Sequence, residues 1–70
     1  MTNKELGDAV KVSESMASRI RNGQRLPSVK VLVALSEQLN IRLARLIDAH
    51  LRGPQFFGEV IRHAIDKKSQ

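Results

Sequence analysis

The chain has 70 residues, 41% of them hydrophobic and 27% charged, which suits one small folded domain and is too apolar for a disordered chain. It has no Cys, so neither a disulfide framework nor a thiolate metal site can supplement the core, and the composition fits a reducing compartment. The net charge of +5 points to a polyanionic partner; the longest apolar run, Val31 to Leu35, is far too short to span a bilayer, and the polar start MTNKELGD does not read as a signal peptide.

Thr2-Asn3-Lys4-Glu5 has the spacing of a capping box, in which a hydroxyl and a carboxylate satisfy the unpaired amides of a helix start. The helix it opens is expected over about Asn3 to Val10, with Leu6, Ala9 and Val10 inward and Lys4, Asp8 and Lys11 outward. Gly7 lowers the stability of that helix, which makes sense where another backbone must come close. Ser13 is a good N-cap for a second helix, about Glu14 to Arg21, ended by Asn22-Gly23. Helix, short turn, helix is the helix-turn-helix layout.

The second helix has two unlike faces. At 100° per residue, Met16, Ala17 and Ile20 fall on one side, while Glu14, Ser15, Ser18, Arg19 and Asn22 occupy a separate arc of about 140°. Those five are short or forked hydrogen-bonding side chains, the types that reach base edges in a DNA major groove. The alternative is an ordinary solvated face, although such a face more commonly carries Lys and Glu pairs. From Arg19 to Lys30 the chain holds Arg19, Arg21, Arg25 and Lys30 and no acid. Lys30 suits a phosphate contact as well as a plain surface lysine. Arg21, between the two arcs, can bind phosphate, pair with an acid or stay solvated.

Pro27-Ser28 opens a third helix with Ser28 as N-cap. Val29, Val31, Leu32, Val33, Leu35 and Leu39 wrap about 200° of it, which marks it as the central, most buried helix. Asn40 can end it in a left-handed conformation. A fourth helix, about Arg42 to Leu51, offers Leu43, Leu46, Ile47 and Leu51 to the core, and Gly53-Pro54 stops it. In the last helix, about Gln55 to Lys67, Phe56, Phe57, Val60, Ile61, Ala64 and Ile65 fill one half of the wheel. Gly58, Glu59, Arg62, His63 and Asp66 fill the other, with Glu59–His63 and Arg62–Asp66 as i,i+4 pairs. The apolar half suits core cover or a dimer face, and the two jobs are not separable at this level.

His50 and His63 lack further ligands at metal spacing, and Asp48 two residues before His50 has no nucleophile beside it, so no metal, cofactor or catalytic site is read here. With no nucleophile–base pair or phosphate loop, an enzyme is not expected.

The ordered set Glu5-Leu6, Val12-Ser13, Ser15-Met16-Ala17-Ser18-Arg19-Ile20, Asn22-Gly23, Pro27-Ser28, Leu39 and Leu46 resembles the lambda-type repressor/Cro helix-turn-helix family over residues 2 to 47. The resemblance implies an all-α domain of about five short helices, with residues 1–52 as the DNA-binding part and 53–70 as a C-terminal helix of the same domain. It implies a bacterial or phage transcription regulator, Cro-like or repressor-like, cytoplasmic in a bacterium or infected host, binding double-stranded operator DNA as a homodimer. Glu14, Ser15 and Arg19 match places where the family reads bases, with Ser18 and Asn22 beside them. Asn3, with Thr2, matches a phosphate contact at the first motif helix, and Ser13, Gln24 and Arg25 match backbone contacts. No membrane or small-molecule partner is implied.

The pattern is broken twice. The family has a full helix before the motif where this sequence starts with Met1, and it favours Glu where this chain has Arg21; that Glu commonly pairs with a basic residue of the earlier helix. Two other functions remain compatible: an antitoxin-type protein that holds a toxin partner, and a helix-turn-helix serving only as a protein-interaction module.

Overall fold

The computed structural model describes the backbone of residues 1–69 and the side chains of residues 1–67, so the last residue of the expected segment 53–70 lies outside the described residues. The described chain is all-helical: α1 (Asn3–Val10), α2 (Glu14–Arg21), α3 (Val29–Leu39), α4 (Leu43–Arg52) and α5 (Pro54–Ser69).

Local chemistry sets the boundaries of the first three helices. The Thr2 hydroxyl accepts from the Glu5 amide at 3.1 Å, and the Glu5 carboxylate accepts from the Thr2 amide at 2.9 Å, completing the capping box. Ser13 and Ser28 cap α2 and α3 by accepting from Met16 and Val31. α3 ends at Asn40 in the left-handed region, φ 53°, as its sequence position suggests. α1 ends in the same way at Lys11, φ 62°, a place where the sequence offers neither Gly nor Asn.

The core draws on all five helices. Leu6 and Val10, Ala17 and Ile20, Leu32, Leu35 and Leu39, Leu46 and Ala49, and Phe57, Val60, Ile61 and Ile65 form one buried cluster. α1 packs on α2 and α3, while α5 lies against α2, α4 and part of α3. Gly7 is buried where a Cβ would stand 2.8 Å from the Val12 carbonyl oxygen, so the turn between α1 and α2 folds tightly over it.

Three expectations change. In α4, Leu43, Ile47 and Leu51 are exposed, and Ala49 joins Leu46 in the core. In α3, Val29 and Val33 are exposed, whereas Ala34 packs against the cluster. The wide apolar arcs exceed what the neighbouring helices cover, because α3 and α4 each meet the core along one stripe only. In α5, Gly58 is buried rather than outward, and Arg62 is half-buried with its guanidinium on the Arg21 carbonyl oxygen. That docking places α5 on the C-terminal end of α2.

Candidate nucleic-acid interface

α2 is held by what surrounds it. Ala17 and Ile20 are buried, 1% and 2% exposed, and Met16 packs beside them. α1 covers one flank, and α5 grips the C-terminal end through Gly58 and Arg62. The opposite arc is left to solvent: Glu14, Ser15, Arg19 and Asn22 are exposed and Ser18 is half-buried. The Asn22 amide nitrogen donates to the Ser18 hydroxyl at 3.3 Å, which ties these two together and leaves the Asn22 carbonyl oxygen outward. The Glu14, Ser15 and Arg19 side chains extend free of that pair along an eight-residue helix of about 12 Å. An α-helix, a rod about 10–12 Å across with its side chains and polar on its outer side, fits a major groove about 12 Å wide.

The expected phosphate contacts sit at the two ends of this rod. At its start, the Ser13 oxygen accepts from the Met16 amide, and the hydroxyl hydrogen is still available to donate outward. At its end, Gly23 with φ 77° turns the chain, the Gln24 amide donates to the Arg19 carbonyl oxygen at 2.8 Å, and the Gln24 and Arg25 side chains stand exposed. Lys30 is exposed on the first turn of α3.

The N-terminus of α1 is less open than its sequence suggests. The Thr2 and Glu5 amides are both used by the capping box, and a carboxylate already sits there. The Thr2 backbone bond, and then its side-chain bond, hold the Glu5 carboxyl below its usual pKa. Asn3 is half-buried and its carbonyl oxygen accepts from Arg21 at 3.3 Å; the same Arg21 nitrogen donates to the Met1 carbonyl at 2.8 Å. Arg21 thus links the end of α2 to the start of α1 and brings a positive charge to the same spot. The sequence left its role open because its partners are 18 and 20 residues away.

A helix-turn-helix family model matches residues 1–46, about two thirds of the chain. The chain belongs to the lambda-repressor/Cro-type helix-turn-helix family. No curated protein and no solved structure matches it. Within this family α1 and α2 are the two motif helices, and membership makes the chain a DNA-binding helix-turn-helix regulator. The matched span stops inside α4, so α5 lies beyond it.

The side chains away from this surface are employed structurally. His50 Nε2 lies 3.1 Å from the Pro27 carbonyl oxygen, and its ring meets Phe57 edge-on at 6.3 Å. Asp48 pairs with Arg52 at 3.0 Å, and Arg52 also covers the Phe56 ring at 5.1 Å. Phe57, Val60, Ile61 and Ile65 belong to the chain's own core, Ala64 packs against it, and Phe56 is exposed. Among the described residues no helix is long and apolar enough to cross a membrane.

Proposed function

We propose that the chain is a sequence-specific operator-binding regulator of Cro or repressor type, working as a homodimer in the cytoplasm of a bacterium or an infected host. The observation that carries this reading is the division of α2: Ala17 and Ile20 on one face are 1% and 2% exposed, while Glu14, Ser15 and Arg19 on the other are exposed. Arg19 is the principal base reader, since an Arg fork bonded to guanine O6 and N7 is the commonest specific contact. Glu14 accepts from a cytosine amino group or orients Arg19, Ser15 contacts a neighbouring edge, and the Ser18–Asn22 pair stiffens the rim. Ser13, Gln24, Arg25 and Lys30 hold phosphates, which sets register without reading sequence. Asn3 adds a first-turn amide of α1 that the capping box leaves free, and Thr2 adds its hydroxyl hydrogen.

A single short helix reads too few base pairs for useful specificity, which is why a homodimer is part of the proposal. Selection of bound sites from random duplexes tests the whole reading. It should return two inverted half-sites about one helical turn apart. A pool that stays random after selection, with binding that only follows salt, overturns it.

A further inference from the structure

A groove of about 770 Å³ opens between the α3–α4 junction and the C-terminal half of α5. That is the size of a site for one small organic molecule. Its floor is apolar, made by Leu39, Ile41, Val60 and Ala64. Leu39 and Val60 are the most exposed members of the buried core, at 7% and 9%. Its rim is basic. Arg42 and Arg45 stand on the α4 side, His63 and Lys67 on the α5 side, and all four are exposed. No Asp or Glu lines the groove; Glu59, one turn before His63, stays outside it. Among the described residues the one ion pair is Asp48–Arg52, so none of the four rim groups is paired with a carboxylate there. The start of α4 sharpens the imbalance. It begins on Arg42 without a side-chain cap and has no acid in its first turn. Two arginines therefore sit at the positive end of a helix whose leading amides lack intrahelical acceptors. For the protein alone that arrangement is unfavourable, and an anion held in the groove relieves it.

We propose that this groove binds an amphipathic organic anion, with its carboxylate or phosphate head between the rim cations and its apolar body on the floor. The two arginines suit such a head, because a guanidinium fork bonds two oxygens of one carboxylate or phosphate. His63 adds a ring N–H, which either neutral tautomer supplies, and Lys67 a third positive charge. Leu39, Ile41, Val60 and Ala64 give the ligand's hydrocarbon a surface to leave water for. Neither half of the site explains the other. A duplex backbone would match the charge and leave the floor unused, while an uncharged apolar molecule would leave the cations unmatched. The groove is independent of the DNA reading, since α1 and α2 contribute none of its lining. Its parts come from residues 39 to 67, three stretches of chain that no local sequence pattern joins.

The test follows amide chemical shifts of the isotope-labelled full chain, which has neither Trp nor Tyr to report by fluorescence. The probes are octanoate, octyl phosphate, octanol and inorganic phosphate, each without DNA and at constant ionic strength. Octanoate or octyl phosphate should give saturable shifts in residues 41–45 and 60–67, with a dissociation constant of about 1 mM or tighter. The better of the two identifies the head group. Octanol and inorganic phosphate should each bind at least about tenfold more weakly, since each meets only half of the site. Arg42→Gln/Arg45→Gln should weaken the amphipathic probe by about tenfold. Arg52→Gln, outside the groove and paired with Asp48, should leave it unchanged. Should the double variant unfold, Lys67→Gln at the exposed rim decides, with an expected loss of about threefold. Four results overturn the proposal: no saturable shift with either amphipathic probe, shifts spread evenly over the chain, equal affinity for octanol or inorganic phosphate, or rim variants that bind no worse than Arg52→Gln.

Discussion

Gly58 of α5 lies against Gly23 of the turn after α2: a Cβ on Gly58 would stand 2.8 Å from the Gly23 amide nitrogen and 3.1 Å from the Arg21 carbonyl oxygen. Helix propensity alone makes Gly58→Ala stabilising by about 1 kcal/mol. The contacts reverse the sign, because the atoms met are backbone and cannot swing away. The expected outcome is a loss of about 1–3 kcal/mol in urea unfolding. Since Gly23 carries the turn to Gln24 and Arg25, DNA affinity should fall with it in a titration at fixed salt. A more stable variant would mean that α5 does not seat on this turn.

Arg21 is a brace, and its removal should be felt at α1. Arg21→Ala loses the bonds to Met1 and Asn3. The site is half-buried, so the expected cost is about 1–2 kcal/mol, with faster amide exchange in the first turn of α1. Arg21→Glu restores the residue type common in the family but sets a carboxylate against the Met1 and Asn3 oxygens that Arg21 donates to, and should cost more than Ala. Equal stability of all three forms would show that the brace does not form in solution.

The two motif helices were legible almost to the residue because each starts on a hydroxyl cap, Thr2 or Ser13, whose chemistry is local. Gly7 was legible as a close approach for the same reason, its neighbour Val12 being only five residues on. α3 and α4 were legible as helices but not in their outward faces. Val33, Ile47 and Leu51 look like core residues by periodicity, and only the placement of α1 and α5 decides that none of the described residues buries them. Gly58 and Arg62 fall on the outward half of the wheel for the converse reason: a wheel registers polarity, while their contacts at Gly23 and Arg21 come from a stretch of chain 35 to 41 residues distant. For the interface, the polar arc of α2 was legible, and the Ser18–Asn22 pair follows from its i,i+4 spacing; the Arg21–Asn3 link needed three dimensions.

Arg19 and Arg25 are both exposed cations, yet their expected effects differ in kind. Arg19→Ala should lose about 1–3 kcal/mol on the selected site and relax preference at one base position. Arg25→Ala should weaken all sequences evenly and lower the slope of log affinity against log salt by about one unit. Affinities on the selected duplex, single-base variants and a random duplex, each at several salt concentrations, separate the two. Uniform loss for Arg19→Ala would move it to the phosphate set.

Glu5 couples the cap of α1 to pH and, if the proposed phosphate contact forms there, to DNA. Its carboxyl is held low by the Thr2 backbone bond first and the Thr2 side chain second, so the folded state favours the ionised form. The contribution is therefore present above the ordinary carboxylate range and is lost as pH falls through the lowered, folded value. Unfolding midpoints followed downward from neutral pH should decline in that acid window, and Glu5→Gln, which keeps the capping-box geometry, should flatten this part of the profile. The same substitution removes a negative charge beside the amides of Asn3 and Lys4, where the proposed phosphate would sit. At neutral pH Glu5→Gln should hence bind the selected duplex more tightly, by about two- to fivefold at low salt, with the gain shrinking as salt rises. Unchanged affinity would show that no phosphate approaches the start of α1, and would take Thr2 and Asn3 off the interface.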